Sequence, residues 1–262
     1  MFALVLSLGL PVFYAIAQYE GVLSAQLFDI TFMLFTGSCT LLAFMMVKKI
    51  GWHGRLGLTY VGMFTCMLLI FLGAVTEGIY VIILGVATPV PSVQDTLDFL
   101  GYASVAIAGL QFLWYFRAAF SEWRYKLVPL LGVLVACPNF ILSHPSMATQ
   151  MPLIVDATWL AYPILDGVLV VLAVMMLLLF SGGILSSSWP WLSVGMILIT
   201  IADVIRGIAN LQGWSQFLQP FYLFYPWGYI CLGLGFSLMP RLERLHPLEQ
   251  DYHKAKFMQP PA

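Results

Sequence analysis

Long apolar runs, each close to twenty residues, alternate along the chain with short polar or glycine- and proline-bearing gaps. Eight runs stand out, at roughly 2–18, 24–47, 56–76, 97–118, 126–143, 154–180, 189–211 and 219–240. A helix of about 20 apolar residues covers the ~30 Å hydrocarbon core of a bilayer. In lipid the backbone has no water to bond to, so runs of this length are expected as helices. A transmembrane β-barrel would show alternation of polar and apolar positions instead of unbroken apolarity. Gly51, Gly54, Pro89, Pro91, Pro145, the stretch from Ser186 to Pro190, and Gly213 punctuate the pattern. Pro11, Pro129 and Pro138 fall inside runs and predict kinks. The pattern thus predicts an all-α membrane protein of eight transmembrane helices. One transmembrane domain covers 1–240, and 241–262 form a tail.

Composition agrees. Of 262 residues, 61% are hydrophobic and 9% charged, against about 25% charged in a soluble domain. The formal net charge of -1 conceals a strong separation. Lys48, Lys49 and Arg55 share one loop, Arg117, Arg124 and Lys126 another, and Arg241, Arg244, Lys254 and Lys256 the tail. With eight spans, all ten lie on one side, which the positive-inside rule makes cytoplasmic. Both termini are then expected in the cytoplasm. The first run carries one complication. Ala15, Ile16 and Ala17 before Gln18 resemble a signal-peptidase site, but no Lys or Arg precedes the run, so retention is expected. Cleavage would leave seven spans and every other loop on its side.

The second half echoes the first. Leu27-Phe28-Asp29 is matched by Ile164-Leu165-Asp166, and Gly62-Met63 by Gly195-Met196. Gly101-Tyr102 finds Gly228-Tyr229, and Pro11 finds Pro138. Four spans per half give both halves the same orientation, a parallel 4+4 repeat of 1–118 and 126–240 about an axis along the membrane normal. Asp29 and Asp166 would then face each other across a central space, unless each only caps a helix start.

Ionisable groups inside a membrane are costly and usually face an interior or a water-filled cavity. Here they are Asp29, Asp166, Asp203 and Arg206, with Glu77, Asp95, Asp98 and Asp156 near helix ends. The assigned orientation puts all of them in the outer leaflet. Asp203 and Arg206, three apart on one helix, are close enough to pair, and Arg206 to Asp166 is the other expected pairing. Trp159, Tyr162, Trp214, Tyr222, Tyr225, Trp227 and Tyr229 gather at the same depth, where an ordinary interfacial belt would also put aromatics. An outward-opening cavity lined by carboxylates and aromatic rings suits a small cation or an amphipathic molecule. The expected ligand-binding residues are Asp29, Asp166, Asp203, Arg206, Tyr162, Trp159 and Tyr225.

Other chemistry is missing from the sequence. No lysine lies inside a run, Lys126 standing at the very edge of its own, which excludes a retinal Schiff base. His53, His144, His246 and His253 sit in loops or the tail, which disfavours haem held between helices. No HExxH, GxSxG or P-loop occurs. Cys39, Cys66, Cys137 and Cys231 lie in apolar runs without CxxC spacing and read as small core residues. No basic patch with interleaved aromatics points to nucleic acid. Neither an enzyme nor a cofactor is expected.

The second half also resembles a known architecture. Tyr162-Pro163-Ile164-Leu165-Asp166 opens one helix, Ala202-Asp203 falls late in the next, and Gly228-Tyr229, Gly233 and Met239-Pro240 mark the last. This order resembles the polytopic N-terminal sensory regions of prokaryotic diguanylate cyclases and sensor histidine kinases. The resemblance covers roughly 159–241 and implies an input module in a prokaryotic cytoplasmic membrane, whose last helix passes a change inward. The chain departs from that pattern after Pro240, where about twenty residues follow, interrupted by Pro247, with no output domain. A protein partner, cytoplasmic or intramembrane, would then carry the signal. Three readings stand: a sensor binding a small ligand from outside, a small secondary transporter built on the repeat, and a structural subunit of a membrane complex.

Overall fold

The apolar runs fold as helices because each must close its own backbone hydrogen bonds in lipid. A computed structural model of the chain describes residues 25–52, 54–115, 128–137, 152–180, 187–212 and 223–239. Among them every regular element is helical: α1 (Ala25–Ile50), α2 (Gly54–Gly78), α3 (Val93–Tyr115), α4 (Val128–Cys137), α5 (Leu153–Leu179), α6 (Trp189–Gln212) and α7 (Phe224–Leu238). Helix α2 runs on into a π-helical turn, Ile79–Ile83. Five helices are long and apolar enough to cross a membrane: Asp29–Ile50, Gly57–Ile83, Val93–Trp114, Leu153–Leu179 and Trp189–Arg206. The expected run at 2–18 lies outside the described residues. Those at 126–143 and 219–240 are represented by the shorter α4 and α7.

Two boundaries differ from expectation, each for a local reason. The third run was expected to end at residue 76 but continues past Glu77 to Ile83. Gln94 donates to Glu77 at 3.0 Å and Arg206 lies 3.6 Å from it, so the charge is met by neighbours and does not end the helix. The fourth run starts at Val93, not 97, because Ser92 and Asp95 form a capping box. The Ser92 amide donates to Asp95 Oδ2 at 2.7 Å, and the Asp95 amide donates to Ser92 Oγ at 3.3 Å. Of the kink-bearing prolines, Pro11 and Pro138 lie outside the described residues, while Pro129 lies in α4 beside the undescribed stretch that precedes it. Pro163 is the proline inside a long helix, α5.

The helices pack as a ring. Helix α1 lies against α2, α2 against α3, α3 against α5, α5 against α6, α6 against α7, and α7 returns to α1. Lipid supplies little drive for helices to associate, so small residues and interhelical hydrogen bonds hold them. At Gly195 a Cβ would meet the Gly228 carbonyl of α7 at 2.7 Å, and at Gly132 it would meet the Gly167 carbonyl of α5 at 2.9 Å. Any side chain at these positions would force the backbones apart. Thr40 Oγ1 donates to the Met67 carbonyl at 2.9 Å, tying α1 to α2. Cys39 Sγ reaches the Tyr229 carbonyl at 3.0 Å, closing α7 onto α1. Large apolar side chains point outward, among them Leu34, Leu110, Trp114 (70% exposed) and Leu153 (86%). In water such a surface would be a liability; against acyl chains it is the expected outer face of an integral membrane protein.

Candidate functional site

Six helices meet at one end of the ring, where α2 and α6 finish and α3 and α7 begin, and all but α1 bring polar side chains there. They enclose a cavity of about 440 Å³. Glu77 of α2, Asp95 and Asp98 of α3, Asp166 of α5 and Asp203 of α6 supply five carboxylates; Arg206 supplies the one guanidinium. Tyr102, Tyr162, Tyr225, Tyr229 and Phe32 add aromatic faces. The segment after the π-turn folds over the space, and Ala87 to Val90 form part of its wall.

Tyrosine hydroxyls fix several of the carboxylates. Tyr225 donates to Asp203 Oδ1 at 2.5 Å, and Tyr162 donates to Asp95 Oδ1 at 2.7 Å. Tyr102 stands between α5 and α6, its hydroxyl 3.4 Å from both Asp166 Oδ1 and Asp203 Oδ2. It has one proton and serves one carboxylate at a time, and 3.4 Å is long for an O–H···O bond. Glu77 is held by Gln94 and Arg206. Asp98, on the same wall, makes no hydrogen bond among the described residues. The Tyr229 hydroxyl makes none either, although the residue is only 3% exposed and lines the cavity. Its ring packs edge-on against Phe32 at 5.6 Å.

Five of the seven residues expected from the sequence meet here: Asp166, Asp203, Arg206, Tyr162 and Tyr225. Asp29 is buried, at 7% exposure, but does not line the cavity, and its Oδ2 has no partner among the described residues. Trp159 belongs to α5, but its side chain lies outside those described. The expected pairing of Arg206 with Asp203 or Asp166 is replaced by an ion pair with Glu77 across α2 and α6. Asp203 is taken up by Tyr225 and Tyr102, and the long arginine side chain, 45% exposed, extends past it. Sequence reasoning had placed Glu77, Asp95 and Asp98 only near helix ends and had not counted Tyr102 or Gln94. Asp95 and Asp98, three apart, share a face of α3, and Tyr102 follows one turn below Asp98. That spacing was the available signal.

The arrangement spreads charge instead of focusing it. Among the described residues, no three His, Cys, Asp or Glu side chains are placed to hold a metal ion. Carboxylates on four helices around an open volume match a cation of several atoms better than a bare ion. Comparison of the chain with protein-family models, curated proteins and solved structures gave no match.

Proposed function

We propose that the chain is a polytopic membrane sensor that takes a small organic cation into this cavity from the outer face. One observation carries the reading: five carboxylates against one guanidinium line a single cavity, with four tyrosines and a phenylalanine among its aromatic faces. A cation there gains from the carboxylates and from ring faces in surroundings of low dielectric. The membrane orientation rests on Lys48 and Lys49, which end α1 at the opposite end of the ring, and on the other basic residues assigned to that side. Signalling to the cytoplasmic side rests on α6 and α7. Each carries cavity residues near one end, Asp203 and Tyr225, and packed residues near the other, Trp189 and Phe236.

The test uses purified protein in detergent or nanodiscs. Tetramethylammonium is expected to raise the melting temperature, neopentyl alcohol, a neutral molecule of similar size, to leave it unchanged, and Asp98→Asn to weaken the effect. The reading fails if no organic ammonium ion stabilises the protein at millimolar concentration. Spin labels at the exposed Trp191 and Leu238 test the signalling step. Their separation is expected to change when the cation binds.

A second reading, a small secondary transporter, is favoured by the neighbour relations of the ring. The order α1–α2–α3 is repeated by α5–α6–α7, and α3 against α5 mirrors α7 against α1. Gly101 lies over Cys66, and Gly228 over Ile199, four residues beyond the matched Gly62 and Gly195. These relations support the parallel repeat within an eight-span chain. Cation flux in proteoliposomes, abolished by Asp166→Asn, would select this reading.

A further inference from the structure

The cavity has a second chamber. A smaller space of about 50 Å³ lies deeper in the ring, among Met63, Met67, Leu169, Met196, Leu232 and Phe236. Ile70, Tyr102 and Ile199 line both spaces, so the two share a wall at which the polar chamber gives way to an apolar one. The deeper lining is hydrocarbon and thioether apart from the Cys66 thiol and the Tyr102 hydroxyl. Three of its residues are methionines, whose unbranched side chains yield to an inserted group. On the polar side, Asp98, the Tyr229 hydroxyl and Thr88 Oγ1 make no hydrogen bond among the described residues, and of these Thr88 Oγ1 is the fully buried atom. A buried polar group without a partner is costly, and a ligand that supplies the partner removes the cost.

We infer that the ligand is an amphipathic amine: an ammonium head between Asp98 and Asp203, and a short hydrocarbon tail past Tyr102 into the methionine-lined chamber. This rests on the cation reading above and adds the tail. On this measure a water molecule takes roughly 10–15 Å³, so the deeper chamber of about 50 Å³ holds about three to five heavy atoms. The tail is therefore a propyl- or butyl-sized group, or one edge of a ring.

The experiment is a titration of the full chain in nanodiscs with primary n-alkylammonium ions from methyl to hexyl, with 1-alkanols of equal chain length as neutral controls. Each methylene buried is worth about fourfold in affinity. The expected result is a rise of roughly fiftyfold from methyl to butyl, then a plateau or a fall once the chamber is full. Met196→Phe, which fills the chamber, is expected to bring the butyl-to-methyl affinity ratio towards one. Binding of the ions with no dependence on chain length overturns the tail and leaves the cation reading standing. A rise that continues without plateau, or that the alkanols match, reports partition into lipid and also overturns it. If none of the ammonium ions binds, both readings fall together. The wild-type series stands by itself should Met196→Phe fail to fold.

Discussion

At one end of the ring, Tyr102, Tyr162 and Tyr225 hold carboxylates around open space; at the other, Tyr60, Phe112, Phe180 and Trp189 hold one another and leave none. The same helices build both ends. Phe180 stacks on Trp189 at 5.2 Å, with Phe112 at 5.1 Å and Tyr60 at 6.0 Å from the same indole. These rings fill the space against one another, with the Tyr60 hydroxyl and Trp189 Nε1 the polar atoms they bury, so that end closes. Carboxylates need donors and repel one another, so the other end cannot collapse without stranding charge in lipid. The packed end holds the ring together, and the open end keeps a cavity.

That division can be broken from either side. The largest effect is expected from Trp189→Ala at the packed end, about 3 kcal/mol of stability. This is the low end of the aromatic-to-alanine range, because separated helices stay in lipid and the loss is mainly of packing. Chemical denaturation in mixed micelles measures it, and cation affinity of the folded fraction should hold. Gly228→Val is next, at about 2 kcal/mol, since its added atoms meet Ile199 and the Gly195 carbonyl. Thermal unfolding of the two glycine partners, singly and together, checks that the effects are not additive. Asp203→Asn at the open end reverses the pattern. Stability should move by less than about 1 kcal/mol, because the amide oxygen still accepts from Tyr225, while cation affinity should fall about tenfold. A large loss of stability with unchanged affinity would erase the distinction between the ends. The smallest effect sharpens the picture of the ring: Thr40→Val removes the bond to Met67 and should cost about 0.6 kcal/mol, without touching ligand binding.

Much of the helical plan was legible because length and apolarity are one-dimensional signals. The runs at 24–47, 56–76, 97–118, 154–180 and 189–211 each coincide with a helix long enough to span. Ring closure was not legible, since nothing in sequence reports that Cys39 meets Tyr229. Asp166, Asp203, Tyr162 and Tyr225 were found by asking which polar groups lipid would not tolerate. The partner of Arg206 was misjudged because spacing along one helix was weighed above contact between helices: Glu77 comes from α2. Pro89 and Pro91 marked a break between runs, but that Ala87 to Val90 wall a cavity was not legible, because a segment covering a cavity carries no periodicity. The Ser92 and Asp95 capping box could have been read directly, and it would have moved Asp95 into the helix and onto the cavity wall.

Contact between α1 and α7 sets a clock on biosynthesis. The Cys39 thiol and the carbonyl it reaches are 190 residues apart. At about 5–20 residues per second, a ribosome needs on the order of 10–40 s to make the intervening chain. Throughout that interval α1 and α2 sit in the bilayer with one flank uncovered, exposing to lipid the side of Cys39 and Leu42 that α7 covers in the finished protein. Whatever shields that flank during translation, lipid or an insertion chaperone, must leave when the last helix arrives.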